Sequence, residues 1–138
     1  MDVALLHTGG CGCGAVRYEI SAPLVRAVYC HCTRCQRRTG SAAAASSYIE
    51  PGSLRLLRGE EHVRSWQPEG GWEKLFCGAC GSALFTRDPE IGEIKSVRLG
   101  SFDRDPEIRP SVRQFVAYAA PWEPIPDDGL PRFDERAP

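Results

Sequence analysis

Seven cysteines fall into three groups, Cys11-Gly12-Cys13, Cys30-His31-Cys32-Thr33-Arg34-Cys35 and Cys77-Gly78-Ala79-Cys80. An odd number suits a disulfide framework badly and divides naturally into one four-ligand and one three-ligand metal site. In an extended segment a Cys-x-Cys pair projects both thiols to one side, and a Cys-x-x-Cys turn reaches the same end by folding back. The glycines around Cys77 and Cys80 would tighten that turn and aim backbone N–H groups at the sulfurs. Joining Cys11 and Cys13 to Cys77 and Cys80 gives a four-thiolate site suited to structural zinc, whose loss would weaken the fold. An iron–sulfur cluster and a redox dithiol are the competing readings, but the spacing matches neither common ferredoxin pattern.

Cys30, Cys32 and Cys35 remain. His31 could complete their site, but a strand would place it on the face opposite its two neighbours, so a core or supporting role is expected. His7 and His62 read as surface residues rather than ligands. Three protein ligands and an open fourth position are the arrangement of a catalytic zinc. Three thiolates make such a zinc a poor generator of hydroxide and a good holder of an incoming thiol as thiolate. The chemistry this implies is the making or breaking of a carbon–sulfur bond. Arg34, Arg37 and Arg38 sit beside the site in sequence. They read either as a solvated basic face or as groups that offset the thiolates and clamp a substrate carboxylate.

The elements that must position these residues are short. Strand-like stretches cover 15–20, 25–30, 54–57, 62–66, 72–77, 83–86, 96–102 and 112–117, each bounded by Gly, Pro or a charged turn. The Ser-Ala run at 41–47 has helical composition, but 46–49 follow and Pro51-Gly52 closes the run, which favours a buried strand. One short helix is expected from Thr33 through Arg38, stopped by Gly40. The sum is a mostly β domain of short antiparallel strands with little helix. Trp66, Trp72, Phe76, Phe85 and Phe102 read as core. The proline-rich tail after residue 120 is expected to lie extended, anchored by Trp122, Ile125 and Phe133, and to fray at its end, and Trp122 beside a proline could cover one side of the pocket.

At 138 residues, with 42% hydrophobic and 25% charged residues, the chain reads as one domain, with a core at about 9–120 and a tail over 121–138. A formal charge of −1 gives no general electrostatic pull towards nucleic acid or an anionic membrane. The opening MDVALLHTGG lacks a basic segment followed by a long apolar run, and no later stretch approaches a spanning helix. A cytoplasmic protein with reduced thiols and no membrane partner is expected.

The segments GGCGCGAVRY, CHCTRCQRRTGS, FCGACGSALFTR and APWEPIPDDGLPRF together resemble the glutathione-dependent formaldehyde-activating enzyme family, which includes centromere protein V. The resemblance runs from about Gly9 to Phe133 and holds three cysteine motifs in order. It implies a zinc-bound β-tent fold, a structural zinc on Cys11, Cys13, Cys77 and Cys80, and a catalytic zinc on Cys30, Cys32 and Cys35, the second held less tightly. It further implies a carbon–sulfur lyase that joins glutathione, or a similar small thiol, to formaldehyde as S-hydroxymethylglutathione. One departure is visible: the segment before APW usually carries a His and a Lys, and Gln114 and Ala119 stand at what look like those places. The true thiol and aldehyde are therefore left open. The alternative reading is a non-enzymatic zinc module that binds a protein or nucleic acid, with the Arg34 to Arg38 cluster as contact.

Overall fold

The computed structural model describes residues 6–138. The reading of the amino terminus as neither signal nor anchor bears partly on residues 1–5, which lie outside the described residues. Among the described residues no helix is long and apolar enough to cross a membrane.

The strands are β1 (His7–Gly10), β2 (Arg17–Ile20), β3 (Arg26–Cys30), β4 (Ala44–Tyr48), β5 (Leu54–Arg58), β6 (Val63–Trp66), β7 (Glu73–Cys77), β8 (Ala83–Asp88), β9 (Glu93–Arg98) and β10 (Pro110–Gln114). They form a small sheet in the order β1-β2-β5 and a seven-stranded sheet in the order β10-β3-β4-β9-β8-β7-β6. All pairings are antiparallel except β10 with β3, which is parallel and sets Gln114 opposite Cys30.

Side-chain alternation gives the large sheet two faces of different character. Leu75, Phe85, Val97, Ser47 and Ala27 lie in one row across five strands, and all are buried. Leu75, Phe85 and Val97 of that row pack with Val16, just before β2, and with Tyr18 and Ile20 of the small sheet, the Tyr18 and Phe85 rings edge to face at 5.3 Å. Gly9 is required at this seam, because a Cβ there would stand 2.3 Å from both the Tyr18 hydroxyl and the Ser101 carbonyl oxygen. The neighbouring rows, Lys74-Thr86-Ser96-Tyr48, Arg98-Ser46-Val28 and Ala44-Cys30-Gln114, occupy the opposite face.

The expected helix is α1 (Thr33–Thr39). Cys32 caps it in extended geometry, its Sγ accepting the Cys35 N–H at 3.2 Å, and Gly40 ends it at φ 65°. The Ser-Ala run does become a strand, β4.

Several expectations need correction. The strand expected over 96–102 ends at Arg98, because the Ser101 hydroxyl bonds back to the Arg98 carbonyl and closes a 3-10 turn, Leu99–Ser101, that brings Ser101 to Tyr18. The strand expected over 112–117 ends at Gln114, where Phe115 turns left-handed at φ 58°. β1 was not expected at all, since His7–Gly10 (HTGG) carries little strand composition and is held by pairing with β2.

The tail also differs from expectation. Trp122 is 64% exposed and does not anchor the tail. Backbone bonds to the free edge of β10 do the anchoring instead, from Phe133 N–H to the Arg113 carbonyl and from the Phe115 N–H to the Glu135 carbonyl, both at 2.9 Å. The end does not fray: the Ala137 N–H donates to Gln114 Oε1 at 3.1 Å and Arg26 donates to the Pro138 carbonyl at 2.6 Å.

Candidate active site

The first cysteine group comes together at the edge of the core. The Cys11, Cys13, Cys77 and Cys80 sulfurs all lie within 4.8 Å of one another. Cys11 and Cys13 are 3.7 Å apart and Cys13 and Cys77 4.0 Å. A tetrahedron with Zn–S bonds near 2.3 Å has edges of about 3.8 Å, so these four thiols fit zinc. The Cys-x-Cys pair sits in a turn after β1 rather than in extended chain, with the Gly14 N–H closing onto the Cys11 carbonyl. The N–H groups of Gly78 and Gly81 go to the carbonyls of His62 and Cys77, not to sulfur. Sulfur is met instead by the Val16 N–H, 3.2 Å from Cys11, and by Ser82, whose hydroxyl and backbone hold the Cys80 thiol down to about 5.

Cys30 at the end of β3, Cys32 at the helix cap and Cys35 in the first turn of α1 bring a second set of three sulfurs within 4.8 Å. No fourth side-chain ligand joins them among the described residues. A donor set of three thiols with one side open fits a zinc that keeps a position free. Hydrogen bonding from Cys30, then Cys35, holds the Cys32 thiol far below the usual range, and the same crowding pushes Cys30 up.

His31 faces away from this cluster, as strand alternation requires, and is buried. Arg113 Nη1 lies 3.1 Å from its Nε2. Burial first, and Arg113 and Arg132 next, push the imidazole pKa down. Arginine only donates, so Nε2 accepts and the neutral ring carries its proton on Nδ1. His7 and His62 belong to neither sulfur cluster.

The open side of the three sulfurs looks into a cavity of about 860 Å³ on the second face of the large sheet. Arg34 and Arg37 line it. Arg38 does not: its guanidinium lies over the Phe76 ring at 5.4 Å, and burial lowers its pKa. Three further cations, Lys74, Arg98 and Arg136, join the lining, against one carboxylate, Glu69. Burial pushes the Lys74 ammonium down. Trp66 and Trp72 stand in the wall rather than in the core, while Phe85 is buried and Phe102 packs against the core. Trp122 does not line the cavity. Gln114 lines it, whereas Ala119 does not.

Sequence reasoning missed Lys74, Arg98 and Arg136. The signal for Lys74 and Arg98 was their phase: each lies one position from a core residue of its strand, Leu75 and Val97, and so points to the other face. Nothing local marked Arg136.

The sequence pattern of the glutathione-dependent formaldehyde-activating enzyme family matches residues 6–118. A Halomonas elongata protein carrying that same family description is 29% identical over 107 residues, covering 73% of this chain and 68% of its own length. A crystal structure of a Rhodobacter sphaeroides protein superposes with a TM-score of 0.55 at 24% identity, covering 91% of this chain and 98% of the other, which supports the fold. The chain belongs to the glutathione-dependent formaldehyde-activating enzyme family.

Proposed function

We propose that this protein is a carbon–sulfur lyase that interconverts a small anionic thiol plus an aldehyde with their S-hydroxyalkyl adduct, glutathione and formaldehyde being the first pair to consider. The observation that carries this reading is the three-sulfur cluster opening into a cavity with five cations and one carboxylate. None of the five is paired with a carboxylate among the described residues. Glutathione at neutral pH carries two carboxylates and one ammonium, a match for such a lining.

Cys11, Cys13, Cys77 and Cys80 would hold a structural zinc and Cys30, Cys32 and Cys35 a second zinc. Bound there, the second zinc supplies an open position that favours an added thiol as thiolate near neutral pH. The residues do the rest. Arg34, Arg37 and Arg98 draw the substrate carboxylates in and offset the charge of the cysteine thiolates. Trp66 and Trp72 form part of the wall around the cavity. In the forward direction the substrate sulfur attacks the aldehyde carbon, a C–S bond forms, and the carbonyl π pair moves to oxygen, which takes up a proton in place of the one the thiol has lost. The reverse direction returns thiol and aldehyde. Cations gathered inside a walled cavity support a small-molecule substrate better than the alternative of a nucleic-acid contact, which calls for a broad exposed basic face.

The test is metal content per chain combined with calorimetric titration of glutathione and exchange NMR of glutathione with formaldehyde. Close to two zincs, saturable binding and enhanced exchange, the last two lost in Cys32→Ser, are the expected results. Binding and exchange that survive Cys32→Ser would overturn the assignment.

A further inference from the structure

Arg136 lies beyond the segment that matches the family pattern, which ends at residue 118, yet it lines the cavity. It gets there from the far end of the large sheet. The tail runs along β10, at one edge, whereas Trp72 immediately precedes β7, with β3, β4, β9 and β8 between. Counting β10 itself, six strand spacings along a flat sheet are about 29 Å, more than an arginine side chain can reach. Here the guanidinium carbon of Arg136 is 5.6 Å from the centroid of the Trp72 ring. The tail and the segment that ends at Trp72 therefore meet across the cavity that both line, and Arg136 bridges them.

The backbone on both sides of Arg136 is tied down. The Glu135 carbonyl accepts from the Phe115 N–H, and the Ala137 N–H donates to Gln114 Oε1. The nearest carboxylate in sequence, Glu135, is taken by the Tyr118 hydroxyl at 2.9 Å. No carboxylate pairs with Arg136 among the described residues. A fixed backbone, an aromatic shelf and an unpaired guanidinium facing the cavity make a receptor for an anion.

We propose that Arg136 is a specificity-determining residue that receives the terminal carboxylate of the thiol substrate, the glycyl carboxylate in glutathione, and that Gln114 is the positioning residue that holds the tail for it. The proposal rests on the reading of the cavity as a thiol-peptide site. The glycyl group is favoured because the glutamyl carboxylate stands beside its own ammonium and gains less from a lone cation.

The experiment uses the zinc-loaded full chain and S-methylglutathione, which has no free thiol and so reports the peptide contacts alone, beside the same compound esterified at glycine. Wild type is expected to bind the free acid about 10- to 100-fold more tightly than the ester, the range of one charge-assisted contact. Arg136→Ala should abolish that preference, and Gln114→Ala should reduce it. Thermal melts of the variants exclude a folding defect. A preference that survives Arg136→Ala, or wild type binding neither compound, overturns the proposal. Arginine-dependent binding without enhanced formaldehyde exchange would uphold this contact and defeat the lyase reading, and the opposite pattern would do the reverse.

Discussion

The Sγ of Cys32 accepts the backbone N–H of Cys35 at 3.2 Å, so one sulfur serves as helix cap and as member of the open cluster. Serine caps helices well and alanine does not. Cys32→Ser should therefore keep α1 while losing thiol binding, and Cys32→Ala should lose both. With the four-cysteine site loaded, urea unfolding is expected to find the alanine variant less stable than the serine variant by about 1 kcal/mol. Equal stabilities would mean that the cap contributes nothing.

Removing a sulfur from the other cluster should act on the whole domain. Cys77 is fully buried against the core and Cys11 nearly so, and the cluster ties the turn after β1 to the turn after β7. Cys80→Ser is expected to lower stability by about 3 kcal/mol or more and to broaden the thermal transition, as a chelator strong enough to strip this site should. Cys35→Ser should leave the melt close to wild type. If the two variants melt alike, the two clusters do not divide into a structural and an open site.

Each cysteine motif was legible because its sulfurs are neighbours in sequence and a count of seven divides into four and three, whereas the meeting of Cys13 with Cys77 depends on the assembled fold. α1 was legible from Thr33 and Gly40 for the same reason, and His31 from strand alternation. Lys74 and Arg98 reach the cavity by cross-strand register, and Arg136 by a tail whose route depends on the free edge of β10. Those facts exist only once the sheet is assembled. Trp66 and Trp72 misled because a large aromatic ring suits a cavity wall and a core equally well.

Arg113 should prove to be the pin that holds the tail. Buried in β10, it donates to Asp128 at 2.8 Å, faces His31 and stacks over Tyr29 at 4.3 Å. Arg113→Ala removes all three contacts and leaves Asp128 without its partner. A loss of about 2–4 kcal/mol is expected, together with rapid tryptic cleavage at Arg132 and Arg136 that wild type resists. Unchanged protection of those sites would show that the backbone bonds along β10 suffice.

Tyr18 gives a pH signature that isolates the core seam from the cysteine clusters. Burial is the main cause that pushes its phenol up to about 12, against a lowering by the hydrogen bond with Ser101 at 2.7 Å. The folded state therefore keeps a proton that the unfolded chain begins to lose near pH 10. Between about pH 10 and 12 the unfolded state binds fewer protons than the folded one, so stability falls as pH rises through that window. The contribution is complete below pH 10 and amounts to roughly 2–3 kcal/mol. Tyr18→Phe should remove this alkaline decline relative to wild type, at the cost of the Ser101 hydrogen bond at neutral pH. Denaturation curves at stepped alkaline pH, with tyrosinate absorbance followed in parallel, would show the two proteins losing stability in step if Tyr18 were not the group responsible.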